Sequence, residues 1–360
     1  MKTIRIINMR LKSNKMKRTI IYSICLMSLF SACQKQDSVE TDKNCSIYLS
    51  AGTVETRSPF EGTVPSEQEV LDALVCVSTT EFSFPSDGAD GTTDGTIGKH
   101  LNVQFQSGSS QLVNGAYYNK NSIRNVYFIA MHPQSGWSFT DNTNVSFEFN
   151  GSHDVMFAPH TTGKYLEQTP VLKFEHLLTW IKLEIKAESE DVAEAWGPLQ
   201  EVSIESRNHI SFDINKEFKP EDVGFSNDHS LMFYRKGSDP DEVFPGTGGY
   251  TMETTSKDIA YVLCAPVTAT EKDEGAYEQN NQNIIRTPEY HINVRSSKRN
   301  VRIPIDLKTA ANSYFSGNTM GKQFTLSLTF LMGNNIAVSA RITDWETGGV
   351  GFGKIEEQIL

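Results

Sequence analysis

Cysteine is scarce in this chain: Cys25, Cys33, Cys45, Cys76 and Cys264 are all it has. The first two fall at or before the end of an N-terminal leader, so the other three permit at most one disulfide and no disulfide framework holds the fold. Cys76 and Cys264 sit in the apolar runs "LVCV" and "YVLCAPV", where a thiol behaves as a small buried hydrophobe. No apolar stretch reaches the ~20 residues that a membrane-crossing helix needs. Helical periodicity is rare, and Ser66 to Leu74 and Leu307 to Phe315 are the fair candidates for it. No Gly-x-Ser-x-Gly pentapeptide is present, which removes the usual nucleophile elbow. The run "GGVGFG" lacks the Gly-x-Gly-x-x-Gly spacing of a phosphate cradle and follows no βαβ pattern. Basic residues are outnumbered 33 to 44. A surface of that sign repels nucleic acid, and none is expected as a partner.

What the chain does have begins at its N-terminus. Residues 1 to 18 carry seven basic side chains and no acidic one, and the apolar block "TIIYSICLMSLFSA" follows. A basic region leading into a short apolar one that ends in small residues reads as a secretory signal, residues 1–32. Met16-Lys17 offers a second start for it. Removing these residues takes away seven positive charges and no negative ones, leaving a mature chain at −18. The end of the block, "FSAC", resembles a bacterial lipobox, with Phe30 where that pattern usually has leucine. The resemblance implies cleavage before Cys33 and lipid on its new N-terminus, an outer-membrane anchor that needs no transmembrane helix. An ordinary signal peptide with an incidental Cys33 is the alternative.

Beyond a tail of residues 33–45 the pattern is almost entirely that of strands. "LTWIKLEIKA" sets Leu177, Thr179, Ile181, Leu183 and Ile185 on one face against Lys182, Glu184 and Lys186 on the other. "KQFTLSLTFLM" does the same with Phe324, Leu326, Leu328 and Phe330, and many further short β-rich runs are separated by polar or Gly-containing turns. Many short strands with few helices predict an all-β protein built of β-sandwiches. The length suits two domains, 46–190 and 191–360, because the period-two pattern stops in the acidic stretch Ala187 to Gln200 and restarts at Glu201. A long acidic hairpin within one domain competes with that division.

Several clusters invite chemistry. His153, Asp154 and His160 in "HDVMFAPH" could bring two imidazoles and a carboxylate together, but nothing fixes them on one face, and no metal is expected. His176 reads as a satisfied sandwich histidine. "DGADGTTDGT", Asp87 to Thr96, has the oxygen-rich composition of a calcium loop, yet Ala89 stands where a ligand should, and a solvated hairpin loop is the default. Tyr117, Tyr118 and Trp137 lie in or beside turn-like stretches, where a sugar could stack on them, although most of the 36 aromatics belong to sandwich cores. No constellation of acid, base and nucleophile stands out, no catalytic residue is assigned, and no cofactor is implied.

"DVMFA" (Asp154 to Ala158), "VLKFEHLLTWIKLEI" (Val171 to Ile185) and "FTLSLTF…IAVSARITDWETGG" (Phe324 to Gly349) resemble, in that order, the recurring segments of the fimbrillin-like (Mfa-like) lipoproteins of Bacteroides-type bacteria. Phe174-x-His176 ahead of an alternating strand, and Trp345, carry the likeness best. The resemblance implies tandem transthyretin-like β-sandwiches and a non-enzymatic fimbrial subunit, anchor, tip or adhesin at the cell surface. Its implied partners are other fimbrial subunits through β-strand addition, the outer membrane through the lipid, and a host or bacterial surface ligand. It also implies trimming by a trypsin-like protease after a basic residue, for which Arg57, followed by Ser58 and Pro59, is the best match. The alternative for Arg57 is a strand end at the surface. The stretch "CSIYLSAGTVETR" before it alternates Cys45, Ile47, Leu49 and Ala51 with Ser46, Tyr48 and Ser50. The C-terminal "GVGFGKIEEQIL" reads as a short donor strand or as a last structural strand, and "DSV" (Asp37 to Val39) resembles an O-glycosylation site. A surface glycan-binding lipoprotein serving nutrient uptake is the alternative to the fimbrial reading.

Overall fold

The computed structural model describes residues 44–51, 70–84, 99–106, 111–119, 124–140, 143–165, 170–236, 242–269, 290–305, 317–333 and 335–344. All described residues belong to one compact unit.

In chain order the strands are β1 (Asn44–Ala51), β2 (Val70–Ser78), β3 (Lys99–Gln106), β4 (Gln111–Asn119), β5 (Val126–His132), β6 (Ser138–Thr140), β7 (Asn144–Glu148), β8 (Met156–Gly163), β9 (Val171–Leu172), β10 (Glu175–His176) and β11 (Thr179–Ala187). After the helix α1 (Glu190–Trp196) come β12 (Leu199–Asp213), β13 (Gly224–Met232), β14 (Tyr234–Arg235), β15 (Lys257–Cys264), β16 (Thr268–Ala269), β17 (Tyr290–Ser296), β18 (Asn300–Ile305), β19 (Gly317–Asn318), β20 (Lys322–Phe330) and β21 (Ile336–Asp344). The protein is all-β.

A three-stranded sheet, β4-β1-β9, faces the five-stranded sheet β10-β8-β5-β2-β3 across a smaller core that contains Ile47, Leu49, Val75, Phe105, Phe128 and Met156. A second pair of sheets, β14-β15-β11-β20-β21 and β18-β17-β12-β7-β6, surrounds a larger core with Ile181, Leu183, Ile204, Val262, Leu326 and Leu328. β6 and β7 precede β8 in sequence but belong to this second pair, through the register of β7 with the end of β12.

The sheet containing β2 is buried on both faces. Leu71, Ala73, Val75 and Val77 enter the smaller core, while Leu74 and Cys76 enter the larger one. This overturns the helix expected over Ser66 to Leu74, whose described part, from Val70, is strand. A strand covered on both sides needs apolar residues at successive positions, so its period of two disappears from the sequence. The other helical candidate, Leu307 to Phe315, lies outside the described residues.

The one regular α-helix among the described residues forms instead in the acidic stretch read as a domain boundary. Ser189 caps it by accepting from the Val192 amide at 3.3 Å, Glu190 and Asp191 occupy its first turn, and Gly197 ends it at φ 71. Val192 and Trp196, four residues apart, supply its buried face. β11 before this helix and β12 after it both bury side chains in the larger core; in the chain, Phe174 belongs to the smaller core and Leu177 to the larger.

β11 keeps its alternation, with one correction. Trp180 and Lys182 lie on the face expected to be solvated, yet they are only 4% and 8% exposed. The connection between β7 and β8 packs against the neighbouring strand β15. Leu263 donates its amide to the Gly151 carbonyl at 2.8 Å, and the hydroxyl of Tyr261, which pairs with Lys182, donates to the Ser152 carbonyl at 3.4 Å. Gly151 is required there: its φ is 93°, and an added Cβ would come within 2.9 Å of Val262 Cγ2.

Candidate functional site

The site that the fold singles out is the berth of β1. Its residues alternate, so Ile47 and Leu49, both 0% exposed, drop into the smaller core. On one side β1 runs antiparallel to β4, with Asn44 opposite Asn119 and Leu49 opposite Gln111, and with a register irregularity between Ser46 and Tyr48. On the other side it runs parallel to β9, with Ser50 opposite Val171 and Ala51 opposite Leu172, and Ser50 donates its amide to the Pro170 carbonyl at 3.1 Å. A strand held between two neighbours leaves open ladder groups on both when it departs. Its two buried side chains account for about 1.5–3 kcal/mol each.

β1 is also peripheral in the sequence. It is the first described element, and residues 52–69 separate it from β2. Arg57 and Ser58 fall in that connection and Cys33 precedes β1; all three lie outside the described residues, as do Trp345, the C-terminal segment after Asp344 and the Asp87 to Thr96 loop. A cut after Arg57 divides the chain between β1 and β2, with the core of the berth on the C-terminal side.

The structure separates the residues of "HDVMFAPH". Asp154 does not join His153 or His160; its Oδ2 lies 2.6 Å from His176 Nδ1, with both side chains 4% exposed, and its Oδ1 accepts the Val155 amide at 2.8 Å. His176 is thus a buried, paired histidine that ties β10 to the start of β8, and the Leu177 amide donates to the Val155 carbonyl at 2.9 Å beside it. His153 is exposed and lies 2.6 Å from the Ser152 hydroxyl. His160 sits between the rings of Phe82 and Tyr127. Nothing in the sequence links Asp154 to His176 across 21 intervening residues, so only the fold reveals the pair.

Of the three rings on which a sugar could stack, the Tyr117 side chain lies outside those described, and the other two are engaged within the fold. Tyr118 is 8% exposed and belongs to the smaller core. Trp137 packs its ring 4.9 Å from Phe147 and edge-on to Phe212, and its indole N–H donates to the Pro133 carbonyl at 2.8 Å.

Burial governs both described thiols. Cys76 is 0% exposed and its thiol is pushed far above the usual range; Cys264 is pushed up to about 12. Near Cys264, Thr179 and Thr319 share a hydroxyl contact of 2.8 Å, and the Tyr290 hydroxyl donates to the Ala265 carbonyl at 2.7 Å. These are satisfied polar groups inside a core. On the surface, Glu205 holds Arg302 through bonds of 2.7 and 2.6 Å, and the guanidinium keeps its carboxyl at about 2, well below the usual carboxylate range. Arg295 reaches Glu201 at 2.7 Å on the neighbouring rungs. Among the described residues no group of three or more His, Cys, Asp or Glu is placed to hold a metal, and no helix is long and apolar enough to cross a membrane.

The described residues thus form an all-β protein with two packed cores and an interior first strand. No family model and no curated protein sequence matches the chain. Solved structures do. A candidate cell adhesion protein from Bacteroides uniformis aligns with 85% of this chain and 100% of its own, at 13% identity and a TM-score of 0.53. A fimbrial protein from Bacteroides vulgatus aligns with 84% of this chain and 99% of its own, at 16% identity and a TM-score of 0.42. The fimbrial anchor protein Mfa2 from Porphyromonas gingivalis does so with 84% and 98%, at 11% identity and a TM-score of 0.37. These three neighbours are fimbrial or adhesion-type proteins of Bacteroides and Porphyromonas, and the fold is shared with the first of them.

Proposed function

We propose that this chain is a non-enzymatic cell-surface fimbrial subunit, or a fimbria-associated anchor, tip or adhesin, exported as a lipoprotein through Cys33 and assembled with its partners by strand exchange. The observation that carries the reading is the position of β1: interior to its sheet, buried through Ile47 and Leu49, and on the far side of Arg57 from everything it packs against. Trimming after Arg57 frees β1. Its departure opens an apolar groove between β4 and β9, and an extended segment of another subunit repairs the ladders and refills the groove. Before trimming, Cys33 tethers the chain to the outer membrane; in a member that is never trimmed, the same tether is permanent. The shared fold with a candidate adhesion protein supports the surface role.

The test is assembly of the purified protein with and without the cut. Protein trimmed after Arg57 is expected to form ladders of multimers that survive mild SDS, and Arg57→Ala protein treated alike is expected to stay monomeric. A trimmed protein that remains a monomer and is retarded by polysaccharide in affinity gels would overturn the reading in favour of glycan binding.

A further inference from the structure

The turn that follows β2 is built with unusual care for a surface connection. The Ser78 hydroxyl oxygen lies 2.8 Å from both the Thr80 and the Ser83 carbonyls, sharing its one proton between them, and accepts the Thr80 amide at 3.0 Å. Phe82, with φ 49°, takes a left-handed backbone that a bulky side chain rarely adopts. That conformation sets its ring against His160 of β8, with centroids 4.8 Å apart and planes 26° from parallel. The opposite face of the imidazole meets Tyr127 of β5, at 5.0 Å and 25°. Phe84 stands edge-on at 6.4 Å. The turn then fastens to the segment after β12: Asn215 Oδ1 accepts the Phe84 amide at 2.6 Å, and Asn215 Nδ2 donates to the Phe84 carbonyl at 3.4 Å. Phe84 itself is 2% exposed in the larger core. The three-ring stack is thus the point at which this turn is held to β5 and β8.

The centre of the stack is a titratable ring. His160 is half-buried, but its Nε2 is closed to solvent and has no hydrogen-bond partner among the described residues. A neutral imidazole with its proton on Nδ1 leaves only a lone pair there. Protonation adds an N–H with no acceptor in a closed position, a costly arrangement for a charged ring. The groups facing it are few. Glu81 on the turn favours the charged form; Tyr127 on β5 is a neutral phenol; beyond Asn215, Asp213 is already engaged by the Asn215 amide at 2.9 Å and by Lys216 at 3.0 Å. The attraction of a cation for the two ring faces also favours the charged form. Burial is the largest influence, and it moves His160 below the ordinary histidine value.

We propose that His160 is a proton-operated latch: neutral, it holds the 79–84 turn and its Phe84–Asn215 clasp in place, and protonated, it leaves the stack and lets the turn go. Strain at Phe82 is consistent with a device kept in place by its surroundings and released when one of them changes. The latch opens on acidification, below the ordinary histidine value of about 6.5, and closes again at neutral pH.

The experiment uses the whole mature chain and a glutamyl endopeptidase working at about pH 7.5 and about pH 5, either side of the histidine range. Cutting after Glu81 is measured against an unfolded peptide of the same sequence. The wild type is expected to be cut severalfold faster at the lower pH. His160→Phe keeps three rings and removes the proton, so its rate should not change with pH; His160→Gln removes the stack and should be cut quickly at both. A flat wild-type rate, or an equal acid response in His160→Phe, overturns the proposal. Should the variants fail to fold, NMR titration of wild-type His160 decides: the Phe82 and Tyr127 ring signals must shift with its protonation, and a titration that leaves them still refutes the latch.

Discussion

Shortening Leu49 to alanine is expected to loosen β1 while leaving its neighbours in place. Leu49 is 0% exposed in the smaller core, and removing a buried leucine side chain beyond its Cβ costs about 2–5 kcal/mol. In the uncut chain this appears as a thermal midpoint lowered by several degrees, since about 1 kcal/mol moves a protein of 150–250 residues by roughly 2–4 °C and a longer one by less. In a chain nicked after Arg57 the same cost acts on release of β1, because no covalent link then joins it to β2. With about 1.4 kcal/mol per factor of ten, release accelerates roughly 30-fold at the lower end of the range and more than about 1000-fold at the upper. The assay follows loss of the N-terminal fragment from the nicked protein by mass spectrometry across a desalting step. Met332→Ala, at a side chain 58% exposed, is the matched control and should change stability by less than about 0.5 kcal/mol. Release from Leu49→Ala at the wild-type rate would refute the argument, because Leu49 would then contribute nothing to holding the strand.

Other perturbations have equally definite outcomes. Asp154→Ala strands His176 in a buried position and should cost about 3–5 kcal/mol by denaturant unfolding, with the Asp154→Ala/His176→Ala double variant well short of the sum of the singles. Gly151→Ala should destabilise markedly in the same assay, since both its φ of 93° and the 2.9 Å approach to Val262 oppose a Cβ. Glu205 has a depressed carboxyl, so the stability it contributes is present above the ordinary carboxylate range and is lost as pH falls toward about 2. Carboxyl NMR should show Arg302→Gln raising that titration toward the usual range, with little change in stability because the pair is exposed to solvent. Cys76 and Cys264 should resist alkylation in the native protein at mildly alkaline pH and react once it is denatured, as peptide mapping will show.

The alternating strands were legible because one of their faces is polar. β20 and β21 run over "KQFTLSLTF" and "IAVSARITD" much as the period of two predicts, and Ile47 and Leu49 point inward as their spacing implied. Legibility failed where a strand is covered on both faces: β2 hid its period, and the sequence around Trp180 and Lys182 of β11 gave no sign that both are buried. The helix α1 was missed for a different reason. Its serine cap, acidic first turn and Gly-Pro exit were present, but with only two buried positions in seven residues it carries little amphipathic signal. The Asp154–His176 pair and the Phe82–His160–Tyr127 stack join elements distant in sequence, and no local spacing announces them. The interior position of β1, by contrast, gives the proposed cut after Arg57 a mechanical consequence, since such a cut would divide the chain between a strand and its own berth.

That statement has a direct test. Nicked and uncut protein are incubated with a labelled peptide of residues 44–53 and separated from excess peptide, and bound label is counted per chain. If β1 is a removable strand, the nicked protein takes up close to one peptide per chain, native β1 is found in the released fraction, and the uncut protein takes up none. No uptake by the nicked protein, or equal uptake by both, would contradict it.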